Sequence, residues 1–181
     1  MNSAGTWRRV QDPVIYPGLY APSGIDIMSI LVSSFVSRSI SMTNNNQFRV
    51  MGRPNPQVVL GPVDCSVALV VCDMAIADAP VIYVSDSFSE LTGYSSREAV
   101  GRNCRFLQAP PGQERRLDRK GSDKVASHRM RQALMAGMEI QTSVTNYKKY
   151  GQPFSNLLTI IPVPVDNTGC RYCIGFLCEM D

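Results

Sequence analysis

Histidine is almost missing from this sequence: His128 is the one copy among 181 residues. Its scarcity removes the usual imidazole base for a cysteine or serine nucleophile and the commonest ligand of a catalytic metal. Sulfur does not fill the gap. Six cysteines are present, yet only "CRYC" at 170 to 173 has a metal-like spacing, and there is no second such pair. That stretch reads as a strand, in which residues three apart point to opposite faces, so Cys170 and Cys173 do not share a metal. Charge is also sparse, at 18% of residues with a net of +3, too thin for a nucleic-acid groove. No apolar run approaches the ~20 residues that cross a bilayer; the longest early one, Ile25 to Val36, is broken by Asp26 and serines. The opening "MNSAGTWRRVQDP" carries two arginines with no apolar run behind them, so no secretory signal is expected. In an intracellular setting the cysteines are expected as thiols, not as a disulfide framework.

What is present reads as one soluble domain of ordinary size with an extension, 44% of its residues being hydrophobic. Residues 1–63 form an arm. Its prolines, Pro13, Pro17 and Pro22, give way to "SGIDIMSILVSSFV", whose apolar spacings of three and four predict an amphipathic helix capped by Ser23. A polar stretch around 37–52 follows and reads as a flexible loop, then "RPNPQVVLGPVD" as an extended segment. Residues 64–181 have the regular pattern of a compact domain. "CSVALVVCD" and "PVIYVS" predict two strands joined by a turn near Asp78, and "SFSELTGYSS" and "SREAV" predict short helices. A longer helix over 122–137 would carry Val125, Met130 and Leu134 on its stripe, with Ser122 as cap and Gly137 as stop. Strands at 139–148, 153–164 and 170–179 close the chain. Two strands, helices, then three strands is an α+β order: a five-stranded antiparallel sheet with helices on one face and room for a cavity between them.

Strand parity puts polar groups in that cavity. Asn146 shares a face with Ile140, Thr142 and Val144, and Asn156 with Phe154, Leu158 and Ile160. Buried amides need partners. Either the two asparagines pair across the strands, or they meet a planar heterocycle with alternating carbonyls and N–H groups. Cationic groups gather nearby: Arg115, Arg116, Arg119, Lys120, Lys124, Arg129 and Arg131 lie between 115 and 131, following Arg105. Guanidinium groups are the preferred bidentate partners of phosphate. Amides inside and arginines at the mouth suggest a ring system carrying a phosphate.

With "GRNCRFLQ" at 101–108 and "NYKKYGQPFSNLLTIIPV" at 146–163, the sequence resembles the LOV family, the flavin-binding branch of the PAS fold, from about Cys65 onward. In the arm, "LYAPSGIDIM", "RPNPQV" and "LGPVD" are similar to the short fungal members of the Vivid and Envoy type. The resemblance implies a blue-light photoreceptor and not an enzyme. Cys104 matches the cysteine whose sulfur attacks the flavin C4a under blue light and is released in the dark. Asn103, Gln108, Asn146 and Asn156 match contacts to the ring and its ribityl chain, and Arg105 and Arg131 match the phosphate-binding arginines. The segment "APPGQERRLDRKG" is longer than in the plant members, which favours FAD over FMN. The implied output is a change in the arm and in association, as a homodimer or with White Collar-like LOV/PAS partners. That would modulate photoadaptation and light-regulated transcription, from the cytoplasm and nucleus, with no direct contact to nucleic acid or membrane.

Three features depart from the family pattern. Leu177, in "GFLCE", stands where the family has a glutamine that senses flavin N5, and a leucine has no hydrogen bond to reorient. Ser29 to Gly52 make the arm longer than in Vivid-like chains. Cys65 falls at the junction of arm and first strand, which suggests a redox-active hinge thiol and, as an alternative function, a flavin-based sensor of oxidative stress.

Overall fold

The structure is a computed structural model that describes residues 56–59, 67–113, 121–164 and 170–180. Most of the expected arm, and with it Cys65, lies outside the described residues.

Five strands, β1 (Ala68–Asp73), β2 (Val81–Val84), β3 (Ile140–Tyr147), β4 (Pro153–Pro164) and β5 (Cys170–Met180), form one sheet in the order β2-β1-β5-β4-β3. Every neighbouring pair is antiparallel. Between β2 and β3 the chain makes helices α1 (Asp86–Thr92) and α2 (Ser96–Ala99), a 3₁₀ helix over Cys104–Gln108, and helix α3 (Gly121–Met135). The expected α+β sheet is therefore what the chain forms. No helix among the described residues is long and apolar enough to cross a membrane.

Period-two alternation divides the sheet's residues between two apolar faces. Val70 and Leu177 pack with Phe88, Tyr94, Phe106 and Leu107 from the connecting helices. Val144, Ile160 and Cys173 pack with Ala126 and Met130 of α3. On the opposite parity, Val71, Ile161, Val163, Tyr172, Ile174 and Phe176 make a third buried cluster.

Short helices of this kind hold their shape through their ends. Ser85 caps α1: its hydroxyl accepts the Phe88 N–H at 3.1 Å and donates to the Val67 carbonyl at 3.1 Å, tying the helix to the entry of β1. Gly93, at φ 77°, closes α1 in the left-handed conformation that glycine adopts without strain. In α2 the Ser95 N–H donates to Glu98 at 2.9 Å, completing a capping box. The arm residues Gln57 and Val58 both donate their N–H to the Glu139 carboxylate, at 2.9 and 3.1 Å, just ahead of β3.

Two expectations for α3 are corrected. The helix begins at Gly121, so Ser122 lies inside its first turn and not ahead of it. Val125 is 61% exposed, while Ala126 and Met130 are the buried positions. The reason is angular: 126 and 130 are four apart and share one face, and 125 sits a 100° step away from it. Cys178 is exposed on β5.

One glycine is required by close approach. At Gly175 on β5 an added Cβ would lie 2.9 Å from Val70 Cγ1 on β1 and 3.7 Å from Leu158 Cδ1 on β4. Gly175→Ala should therefore lower the unfolding free energy by about 1–3 kcal/mol through overpacking. Urea unfolding measures it, and an unchanged midpoint would contradict the packing described.

Candidate functional site: a cavity between sheet and helices

A cavity of about 880 Å³ opens between the sheet and the connecting helices. That volume lies in the range of small-molecule and cofactor sites. Its floor is sheet: Val70, Leu158, Ile160, Gly175 and Leu177. Its walls include Met130, Arg131 and Leu134 of α3 and Asn103, Cys104, Arg105 and Gln108 of the 3₁₀ segment. Asn146 and Asn156 also line it. All the site residues expected from the sequence within the described chain, Leu177 included, thus meet in one cavity.

Local folding explains where Cys104 sits. Phe106 and Leu107 are buried, and Phe106 stacks edge-on with Tyr94 at 4.9 Å between ring centroids while the Arg102 guanidinium lies 4.1 Å from the Phe106 centroid. Those anchors fix the 3₁₀ helix, and Cys104 opens it. Asn103 caps it: the side-chain oxygen accepts the Arg105 backbone N–H at 3.0 Å and the Arg105 Nε at 2.9 Å. The Asn103 amide nitrogen donates to the Asp78 carbonyl, and Arg105 pairs with the Asp78 carboxylate. Asp78 and Ala79 have positive φ, 68° and 43°, in the loop between β1 and β2. The cap and ion pair over-determine that loop, which is how left-handed non-glycine residues persist.

On β3 and β4 the two asparagines resolve the open alternative. Asn156 donates its amide nitrogen to the Asn146 side-chain oxygen at 2.8 Å, so they do pair across β3 and β4. The pair is also wired into the backbone: Asn146 donates to the Thr145 carbonyl at 3.0 Å, and the Cys178 N–H donates to the Asn156 side-chain oxygen at 3.0 Å. Each amide nitrogen carries two protons and each oxygen two lone pairs. These bonds use only part of that capacity, and the remainder belongs to the cavity that both residues line. Mutual pairing and ligand contact are compatible.

A flat, partly polar ring system fits this arrangement. The floor is apolar and lacks a Cβ at Gly175, the amides of Asn103, Gln108, Asn146 and Asn156 line the cavity, and Arg105 and Arg131 are exposed on its lining. Arg115, Arg116, Arg119 and Lys120 lie outside the described residues. Among the described residues no group of three or more histidine, cysteine or acidic side chains could hold a metal ion.

Two lining residues were missed by sequence reasoning. Asp78 was read only as a turn. Cys72, not singled out in the sequence, has its Sγ 3.4 Å from Cys104 Sγ. A signal for it existed, since Cys72 has the parity of Val70 and so faces the helices; what could not be read was the path that returns Cys104 over β1.

The PAS domain family model matches residues 66–179. Over 163 residues, 90% of this chain, the sequence is 44% identical to the White collar 1 protein of Neurospora crassa, and it spans 13% of that protein's length. A structure of a single-residue variant of the fungal photoreceptor VVD superposes with a TM-score of 0.70 at 44% identity, covering 90% of this chain and 99% of that one. The light-state dimer of the fungal blue-light photoreceptor Vivid gives a TM-score of 0.69 at 44% identity, covering 89% and 99%. The chain belongs to the PAS family, in its LOV branch, together with the fungal blue-light photoreceptors.

Proposed function

We propose that this chain is itself a blue-light receptor that holds FAD in the cavity and signals through a protein surface. The observation that carries the reading is Cys104, whose thiol stands on the wall of a cavity with an apolar floor and a buried amide pair in its lining. A bound flavin supplies the absorption of blue light and, when excited, an electrophilic ring carbon. The chain supplies the rest. Cys104 presents a sulfur and its proton, and because light provides the drive, no histidine is needed to activate it. Asn146, Asn156 and Gln108 offer donors and acceptors to a ring edge. Arg105 and Arg131 suit a phosphate or diphosphate; at Arg105 an arriving anion would replace the Asp78 carboxylate. The long "APPGQERRLDRKG" segment supports FAD over FMN.

The route out of the cavity differs from the family's. Leu177 is buried in the floor and has no polar group to turn. Asn156 offers a substitute, since its side-chain oxygen holds the Cys178 N–H, one residue further along β5. A change of hydrogen bonding at the cavity's amide pair therefore reaches the β5 backbone without a glutamine. Output is association, as a homodimer or with White Collar-like LOV/PAS partners, tuning light-regulated transcription and photoadaptation in the cytoplasm and nucleus without enzymatic turnover. Vivid forms a light-state dimer, which supports this reading.

Purified protein should carry a flavin that chromatography identifies as FAD and that bleaches reversibly under blue light. Cys104→Ala should keep the flavin and lose the bleaching; bleaching retained in the variant, or wild-type bleaching that needs added reductant, would refute the reading. In the wild type, hydrogen exchange at the Cys178 amide should change on illumination, and Asn156→Leu should abolish that change. An equal light response in the variant would remove Asn156 from the route. Leu177→Gln should shift the flavin absorption and enlarge the light-dependent change in solution scattering; identical light-minus-dark differences in the two proteins would show that position 177 is not the missing relay.

A further inference from the structure

Cys72 is a nucleophile that the light chemistry does not use. It lines the same cavity as Cys104, and the two sulfurs are 3.4 Å apart, close to contact. The pairing between β1 and β2 slips at this point: Val71 faces Tyr83 and Cys72 faces Val81, so Ile82 is passed over. Such a bulge re-aims the side chain beside it. Neither thiol is sealed away, both being half-buried. The thiol of Cys72 is held protonated, its ionisation pushed up first by the hydrogen bond to Cys104 and then by burial. The two thiols are within hydrogen-bonding distance, and either sulfur can be the donor.

We propose that Cys72 and Cys104 form a reversible disulfide when the protein meets hydrogen peroxide, and that the bond withdraws Cys104 from the light reaction. The second half of that statement rests on the function proposed above; the first half does not. In the first step the Cys104 sulfur attacks one peroxide oxygen and the O–O bond breaks, giving a sulfenic acid at Cys104 and one water. In the second the Cys72 sulfur attacks the Cys104 sulfur. The S–S bond forms, the S–O bond breaks, and the hydroxyl leaves with the Cys72 proton as a second water. The two thiols lose two electrons, which reduce one peroxide to two waters. A dithiol reductant reverses the process by exchange.

A third cysteine supplies an internal control. Cys173, on β5, is the cross-strand partner of Cys72 and lines the same cavity. A nonspecific oxidation would have that choice as well.

The test uses the flavin-loaded full chain carrying Cys65→Ser, so that Cys65 does not share a peptide with Cys72. After peroxide in the dark, free thiols are blocked with a maleimide and the protein is digested without reductant. A Cys72–Cys104 peptide pair two hydrogens lighter than the sum of its thiol forms is expected, with maleimide labelling of both residues lost together and restored by dithiothreitol. The amplitude of blue-light bleaching should fall in proportion to the linked fraction and return with reductant. In Cys72→Ala, no pair should form, and Cys104 should go on to the sulfinic acid, which dithiothreitol does not reverse. If that variant does not fold, Cys72→Ser serves, and the linked peptide in the parent protein decides by itself. Oxidation of Cys104 alone in the parent, a Cys72–Cys173 pair in its place, or no oxidation at all would overturn the proposal. A linked pair in a protein that never bleached would leave the disulfide standing and remove the light reading.

Discussion

An amide side chain taken out of water must have its hydrogen bonds returned to it, and leaving one unmet costs about 1–3 kcal/mol. Asn146 and Asn156, 3% and 0% exposed within an apolar sheet, impose that constraint on everything around them. They meet it first with each other and then with the backbones of Thr145 and Cys178. Because both strands contribute, the pair holds β3, β4 and β5 in one register at the cavity. Because the bonds leave capacity over, the same pair can bind a polar ring edge. Stability and recognition therefore draw on the same atoms, and a change at one reaches the other.

The wall that carries Cys104 is organised by a different principle. There the chain has no long helix to support its reactive residue, so it uses two buried anchors and a cap. Phe106 and Leu107 hold the 3₁₀ helix down, Asn103 closes its N-terminus, and Asp78 ties Asn103 and Arg105 to the loop that precedes β2. Cys104 is left with one degree of freedom that matters, the rotation of its own side chain. A thiol so placed lines the cavity and lies 3.4 Å from the Cys72 sulfur at the same time.

The parts of this arrangement that follow a period were legible in the sequence. Alternation along 140–147 and 153–160 placed Asn146 and Asn156 inward, and the β-branched runs gave the strands to within a residue or two. At Val125 the stripe of α3 was misjudged because three apolar residues at helical spacing define a face only to within one step, and packing against β3 selected Ala126 and Met130. Contacts made by chain segments far apart in sequence were not legible. Cys72 and Cys104 are separated by 32 positions, two helices and a strand, and Asp78 meets Arg105 across a similar gap. The roles of Arg105 and Arg131 came from family resemblance and not from any pattern, since a run of basic residues alone reads as a solvated face.

The central claim is that the Cys104 thiol, beside a protonated Cys72, is the group that light consumes. Light-minus-dark infrared spectroscopy in the S–H stretching region observes that thiol directly. Blue light should remove one S–H band, restore it in the dark, and shift the band of Cys72 as its hydrogen-bond partner changes. An S–H region unaltered by light in a protein whose flavin is excited would contradict the account.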